Sequence, residues 1–320
     1  ARDHGQRKST LEQAKSRKEV EYSRYHKTRQ SLIFDIISAY YSFLEAEKLI
    51  GIDERLLEQS KQNVEKIKAF VEAGSVVEAD IATARVQQAN SELAMINDQN
   101  NLNLARANLA VLMGLDPDAP LIIEDDPDYE GYIRTGRIEK EEVSLKKIIS
   151  EALARRPELA ELRANLNIIE WALKLAKLER LPKVTAETHY NVRLADYLRE
   201  RDAFKDYRSW DVLARVSFPT FDDGRSLRTV QKAEISLQKM NESKSELERG
   251  IALEVYQAYL NLERAKKSLD ITSVQVEDAR KSLEIAQGRY DWQEIILLEL
   301  LDAQTRYGKA LTDQVKAFYA

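Results

Sequence analysis

Residues 5–101 of this chain can be laid on residues 224–320 at a constant offset of 219, with no gap. Gly5 falls on Gly224, Ala14 on Ala233, Ala39-Tyr40 on Ala258-Tyr259, Ala46 on Ala265, Ile52 on Ile271, Asp80 on Glu299 and Ala84 on Ala303. Only eleven of the 97 pairs are identical, so the weight rests on the shared register of apolar positions and helix breakers. Each copy reads as a glycine start, one very long helical run, a short break and a second helical run. A helical hairpin of this length cannot bury its apolar stripe alone. The chain is therefore expected to be part of a larger assembly.

Composition fits that expectation. Charged residues are 32% of the chain and hydrophobic ones 43%, while Gly and Pro number 10 and 6. Such a mix suits long exposed helices with a narrow apolar seam. The net charge is -5, with the signs interleaved and no basic block, which argues against a nucleic-acid partner. The absence of Cys excludes disulfides, thiolate catalysis and Cys-ligated metal. No run approaches the ~20 apolar residues of a membrane-spanning helix. A β-barrel stays open, because its strands carry a weaker signal. No signal peptide is visible, and a start at Ala1 fits its loss through processing or truncation.

Residues 11–70 contain no Pro and one Gly, Gly51, so they predict a helix of roughly 90 Å if straight. Its apolar positions, among them Leu32, Ile36, Tyr40, Ile52, Leu56, Val64 and Ile67, are spaced by threes, fours and their sums. Ala73-Gly74-Ser75 breaks it, and a second run over 77–112 stops at Gly114, with Pro117 beyond. Residues 115–156 read as an irregular acidic connector ending in a short helix near 144–154. Pro157 suits the first turn of a helix that stops at Leu181-Pro182.

Two strands are predicted. Val184, Ala186, Thr188, Tyr190 and Val192 alternate with polar residues, as do Trp210, Val212, Ala214, Val216 and Phe218. One apolar and one polar face at period two is the pattern of a lipid-facing barrel strand. The charged segment 194–209 between them is expected to be an exposed loop. Two strands cannot close a barrel. Only the second helical copy is preceded by a strand pair, so an equivalent N-terminal piece is expected to be missing, and the C-terminus to stop early. The domain reading is a first hairpin at 5–114, a connector at 115–156, a helix at 157–182, a β-hairpin at 183–220 and a second hairpin at 224–320.

Several motifs in this order resemble the outer-membrane efflux proteins, the TolC-like family. Phe221-Asp222-Asp223-Gly224-Arg225 is similar to the family's strand-to-helix signature, and Ala258-Tyr259-Leu260 with its twin Ala39-Tyr40-Tyr41 to the mid-helix motif. Glu299-Leu300-Leu301-Asp302-Ala303-Gln304 resembles the pattern after the helix tip, and Val71-Glu72-Ala73-Gly74 with Asp80 the first-repeat tip. Arg156-Pro157-Glu158-Leu159 and Leu181-Pro182 match the helix before the second strand pair.

The resemblance implies a mainly α fold: long antiparallel coiled-coil helices in a trimeric α-barrel, with a strand pair given to a shared transmembrane β-barrel. It implies a passive, non-enzymatic exit duct without cofactor. That duct lies in the outer membrane of a Gram-negative bacterium and extends into the periplasm. The implied partners are two further copies of the chain, outer-membrane lipid, a periplasmic adaptor and an inner-membrane pump of RND, ABC or MFS type.

It also implies roles for particular residues. Glu299 and Asp302, one helical turn apart, would ring the periplasmic entrance, favour cations and bind blocking divalent ions; the plain alternative is two solvated helix acids. Asp80 and Tyr290 match positions of inter-helix bonds that hold the entrance shut. The family's basic partner is here Ile295, so closure is expected to rest on Trp292, Ile295 and Ile296 as a hydrophobic constriction, unless these only pack the hairpin end. The second tip also lacks the glycine that Gly74 gives the first. Gly74, Ser75, Val76, Val77 and Gln293 would dock the adaptor, or lie buried in the trimer. Val184, Ala186, Tyr190, Trp210, Val212, Val216 and Phe218 would face lipid, with Tyr190 and Trp210 either in an interfacial belt or ordinary strand residues.

Other signals are weaker. The acidic run 124–128 lacks the spacing and Gly of a calcium loop. His4, His26 and His189 have no metal-ligand spacing. A soluble coiled-coil scaffold or membrane-curving protein would explain the helices but not the strands, and it would lack the expected basic face. A ferritin-like enzyme would need Glu-x-x-His pairs, which are absent.

Overall fold

The computed structural model describes residues 5–123, 129, 131–132, 144–192, 208–217 and 222–320, with backbone alone at Lys183, Val192 and Arg208. The acidic run 124–128, the loop 193–207, His4, Phe218 and Phe221 lie outside the described residues.

The elements run α1 (Gln6–Glu72), α2 (Glu78–Leu112), α3 (Leu145–Arg155), α4 (Pro157–Leu178), β1 (Lys183–Val192), β2 (Arg208–Ser217), α5 (Arg225–Asp291) and α6 (Leu297–Tyr319). The duplication is visible in the backbone. α1 and α5 are each 67 residues long. Their first and last residues, and the first residues of α2 and α6, all stand 219 apart. Gly51 does not interrupt α1, since an interior helical Gly costs only about 1 kcal/mol relative to Ala.

The start of α5 explains the Asp-Asp-Gly sequence. Asp223 and Gly224 both adopt left-handed backbone, at φ 55° and 76°. The Asp222 carboxylate accepts hydrogen bonds from the backbone N–H groups of Gly224 (3.1 Å) and Ser226 (2.9 Å), filling the role of an N-terminal cap. Gly5, 219 residues earlier, is left-handed as well, at φ 90°.

The chain divides into two compact units, residues 1–28 with 146–255 and residues 29–145 with 256–320. In the first, Leu159 of α4 packs on Ile251 and Val255 of α5, with Ile148, Ile149 and Leu153 of α3 against them. Ion pairs tie α4 to α1 (Arg24–Glu161, 2.9 Å) and to α5 (Lys177–Glu234, 3.2 Å). Pairs this exposed contribute little each. This unit also holds the antiparallel β1–β2 ribbon. Its register sets Val184 opposite Val216, Ala186 opposite Ala214, Thr188 opposite Val212 and Tyr190 opposite Trp210. The apolar face predicted for each strand thus meets that of the other. β2 begins two residues before the expected start, because Arg208 and Ser209 pair with Val192 and Asn191; backbone pairing extends past the side-chain alternation.

The second unit has two main apolar clusters. One gathers Ala39, Phe43, Leu44 and Ile50 of α1 with Leu102 and Leu109 of α2. The other joins four helices near their ends: Val64 and Ile67 of α1, Ala84 of α2, Leu283 and Tyr290 of α5, and Leu297, Leu300 and Leu301 of α6. Gly308 of α6 lies against Leu56 of α1 so closely that an added Cβ would come within 2.8 Å of the leucine. Even so, large apolar side chains stay exposed on the long helices, Phe34 by 69% and Leu93 by 62%, with Leu104, Leu253 and Val274 alike. No described helix is long and apolar enough to cross a membrane.

Candidate functional site

The α1–α2 and α5–α6 connections are two helix tips built on one plan. At the first, Ser75 N–H bonds to Phe70 C=O and Gly74 N–H to Val71 C=O, both at 2.9 Å. This is a Schellman closure with Gly74 left-handed, at φ 72°. At the second, Glu294 N–H bonds to Arg289 C=O and Gln293 N–H to Tyr290 C=O, again at 2.9 Å. Gln293 takes the left-handed place at φ 60°. The second tip therefore departs from the first in chemistry and not in conformation. Left-handed backbone costs an L-residue roughly 1–2 kcal/mol, which Gly74 avoids.

Both return helices begin on an apolar N-cap in extended conformation, Val77 and Ile296, with no side-chain cap. The acids Asp80 and Glu299 fill the same first-turn position, their N–H groups bonded to Val77 C=O (3.0 Å) and Ile296 C=O (3.1 Å). Negative charge there complements the helix dipole.

The predicted site residues separate into inner and outer groups. Tyr290 is only 4% exposed and packs in the tip core, 6.1 Å from the Phe70 ring. Its hydroxyl is buried with no hydrogen-bond partner. Burial first, and then the carboxylates of Asp80 and Asp291, push its pKa up. Ile295 joins the same core and Val76 packs on it. Gly74, Ser75, Val77, Gln293, Trp292 and Ile296 are exposed, Trp292 by 83%. Glu299 and Asp302 are exposed too. Asp302 pairs with Arg306 one turn on, at 2.6 Å. Val184, Ala186, Tyr190, Trp210, Val212 and Val216 are all exposed on the ribbon. On its other face His189 Nδ1 lies 3.1 Å from Asp211.

Sequence reasoning missed several ties between elements. Asn63 of α1 donates to the Gln304 amide oxygen of α6 at 2.8 Å, and Lys66 pairs with Asp291. Asp53 of α1 meets Asp98 of α2. Burial, then the Asp98 charge, then the hydrogen bond between the two push the Asp53 carboxyl up to about 6. Only the Asp302–Arg306 tie had a local signal, its i, i+4 spacing; the others depend on how helices register against one another. Among the described residues no group of three or more His, Asp or Glu is placed to hold a metal ion.

Residues 2–115 and 148–320 match the family described as outer membrane efflux protein. Nodulation protein T of Rhizobium leguminosarum bv. trifolii is 21% identical over 313 residues, covering 94% of this chain and 63% of that protein. Protein CyaE of Bordetella pertussis is 22% identical over 270 residues, covering 83% and 54%. The chain thus spans less than two thirds of either relative. The outer membrane protein VceC of Vibrio cholerae superposes with a TM-score of 0.84 at 17% identity, covering 98% of this chain and 72% of that one. The open MtrE outer membrane channel of Neisseria gonorrhoeae gives 0.83 at 18%, covering 98% and 68%. The mainly helical fold with one small ribbon is the fold of these channels. By the reach of the family match, this chain belongs to the outer membrane efflux protein family, whose members are channels and not enzymes.

Proposed function

We propose that this chain forms one third of a passive outer-membrane exit duct, a homotrimer that serves efflux or type I secretion. The observation that carries this reading is the pair of hairpins in one repeat register whose long helices leave large apolar side chains exposed. Seams of that kind are buried when copies stack side by side. The ribbon supports the same reading. Its apolar face is in register and exposed, and a two-stranded sheet is marginal unless it joins further strands. In the trimer, Val184, Ala186, Tyr190, Trp210, Val212 and Val216 face outer-membrane lipid, and the helices extend into the periplasm.

The tips form the entrance. Gly74, Ser75, Val76, Val77 and Gln293 dock a periplasmic adaptor, which joins the duct to an inner-membrane pump of RND, ABC or MFS type. The exposed apolar groups Trp292 and Ile296 narrow the closed entrance, backed by Ile295, Tyr290 and Asp80 beneath them. Opening shifts the tip helices, an element with two discrete arrangements. Glu299 and Asp302 supply the carboxylates at this level and favour cations.

The test is single-channel recording in planar bilayers. Glu299→Gln is expected to lower cation preference and weaken divalent block by roughly an order of magnitude, since a ring of fixed charge is lost. Unchanged selectivity and block would remove the entrance assignment.

A further inference from the structure

The charges past the second tip are not equivalent. The Asp302 carboxylate lies 2.6 Å from the Arg306 guanidinium, with the acid N-terminal to the base, the favoured order on a helix. Asp302 also lines a groove along its own chain, with Leu298, Leu301 and Thr305 of α6 and Thr83 and Val86 of α2. Glu299 does not line that groove, and it has no ion pair among the described residues.

The duplication shows which of the two acids belongs to the tip design. Glu299 corresponds to Asp80, an acid in both copies. Asp302 and Arg306 correspond to Thr83 and Gln87, both uncharged, and both lining the opposite wall of that groove. The second copy therefore differs from the first by an acid and a base together, and the summed charge of the two positions is zero in either copy. Asp80 is half-buried and acts on the buried Tyr290. Of the two acids, Glu299 is the one left exposed and without an ion pair among the described residues.

We propose that Arg306 is a specificity-determining residue of the duct: it offsets the charge of Asp302, so that of the two acids Glu299 carries most of the cation selection. The inference rests on the entrance reading above and deepens it. A fixed positive charge one turn from the acid also limits how strongly divalent cations bind there, because the field at a constriction follows the sum of nearby charges.

The experiment compares reversal potentials in a KCl gradient, and block by Co²⁺, for the purified protein and four variants: Glu299→Gln, Asp302→Asn, Arg306→Gln and the Asp302→Asn/Arg306→Gln double. Arg306→Gln is expected to raise cation over anion permeability and tighten Co²⁺ block by roughly threefold, from the uncovered carboxylate. Asp302→Asn is expected to lower both, and the double variant to return to the parent values. If Glu299→Gln acts and Arg306→Gln does not, the role of Arg306 is overturned while the entrance reading stands. If the double variant behaves as Asp302→Asn alone, the offset is likewise overturned. If no variant moves either readout, both fall.

Discussion

The two helix tips share a backbone and differ in almost every side chain. At the first, Gly74 sits at the left-handed position and the surface is small and polar, apart from Val77. At the second, the glutamine Gln293 holds the same conformation beside the exposed Trp292 and Ile296. The closure of each tip is set by the same pair of backbone hydrogen bonds, so the turn does not require the glycine. Duplication fixed a geometry, and the two copies then diverged in what they present. The glycine-free tip carries both the strain and the apolar surface, as expected where function opposes local preference.

Four substitutions test how far the two tips depend on shared packing and on their own residues. The largest effect is expected where both tips share one core. Leu300→Ala leaves a cavity among residues of all four helices and should cost about 2–5 kcal/mol in denaturant unfolding. It should also raise hydrogen exchange at both tips; loosening of the second tip alone would break the shared core. Next, Gly74→Gln puts the second tip's residue into the first and should cost about 1 kcal/mol, the left-handed penalty less what a stiffer unfolded chain returns, since Gly74 is left-handed and has nothing within 4 Å of a new Cβ. A neutral result would mean that the first turn relaxes.

The third concerns hairpin interiors. Asp53 and Asp98 of the first copy correspond to Thr272 and Ala317 of the second, both buried. The folded Asp53 carboxyl, at about 6, lies above its unfolded value near 3.9. Its contribution to stability is therefore present in acid and lost as pH rises through about 6. Allowing for partial exposure, that loss is on the order of 1 kcal/mol. Asp98→Asn supplies a donor and should flatten this dependence in unfolding measured from about pH 3.5 to 7, the window between the unfolded and folded values. An unaltered profile would place the titration elsewhere. The smallest effect is for Gln293→Gly, which relieves left-handed strain but loosens the unfolded chain. It should stabilise by about 0.5 kcal/mol, read as a higher denaturant midpoint at unchanged slope.

Much of this fold was legible because its signals are local. Pro-free runs, Gly74, Gly114 and Pro157 mark helix ends to within a few residues, and alternation marks both strands and the faces that meet in the ribbon. Gln293 shows the limit of such reading: a residue with no turn preference occupies a turn because the repeat and the core around Tyr290 and Ile295 hold it there. The Asn63–Gln304, Lys66–Asp291 and Asp53–Asp98 ties were illegible, since they arise from the register of one helix against another far along the chain. The acid pair Glu299 and Asp302 was readable as a spacing. That its second member is compensated was signalled only by the i, i+4 spacing of Arg306, and the 2.6 Å distance shows the pair formed.

The exposed seams of these hairpins are expected to close only against further copies of the same chain. The direct measurement is mass in detergent, by light scattering or native mass spectrometry. A species of three chains of 36.8 kDa each is expected, dissociating when seam positions such as Leu93 and Leu104 are replaced by Lys. A stable, well-folded monomer at all concentrations would contradict it.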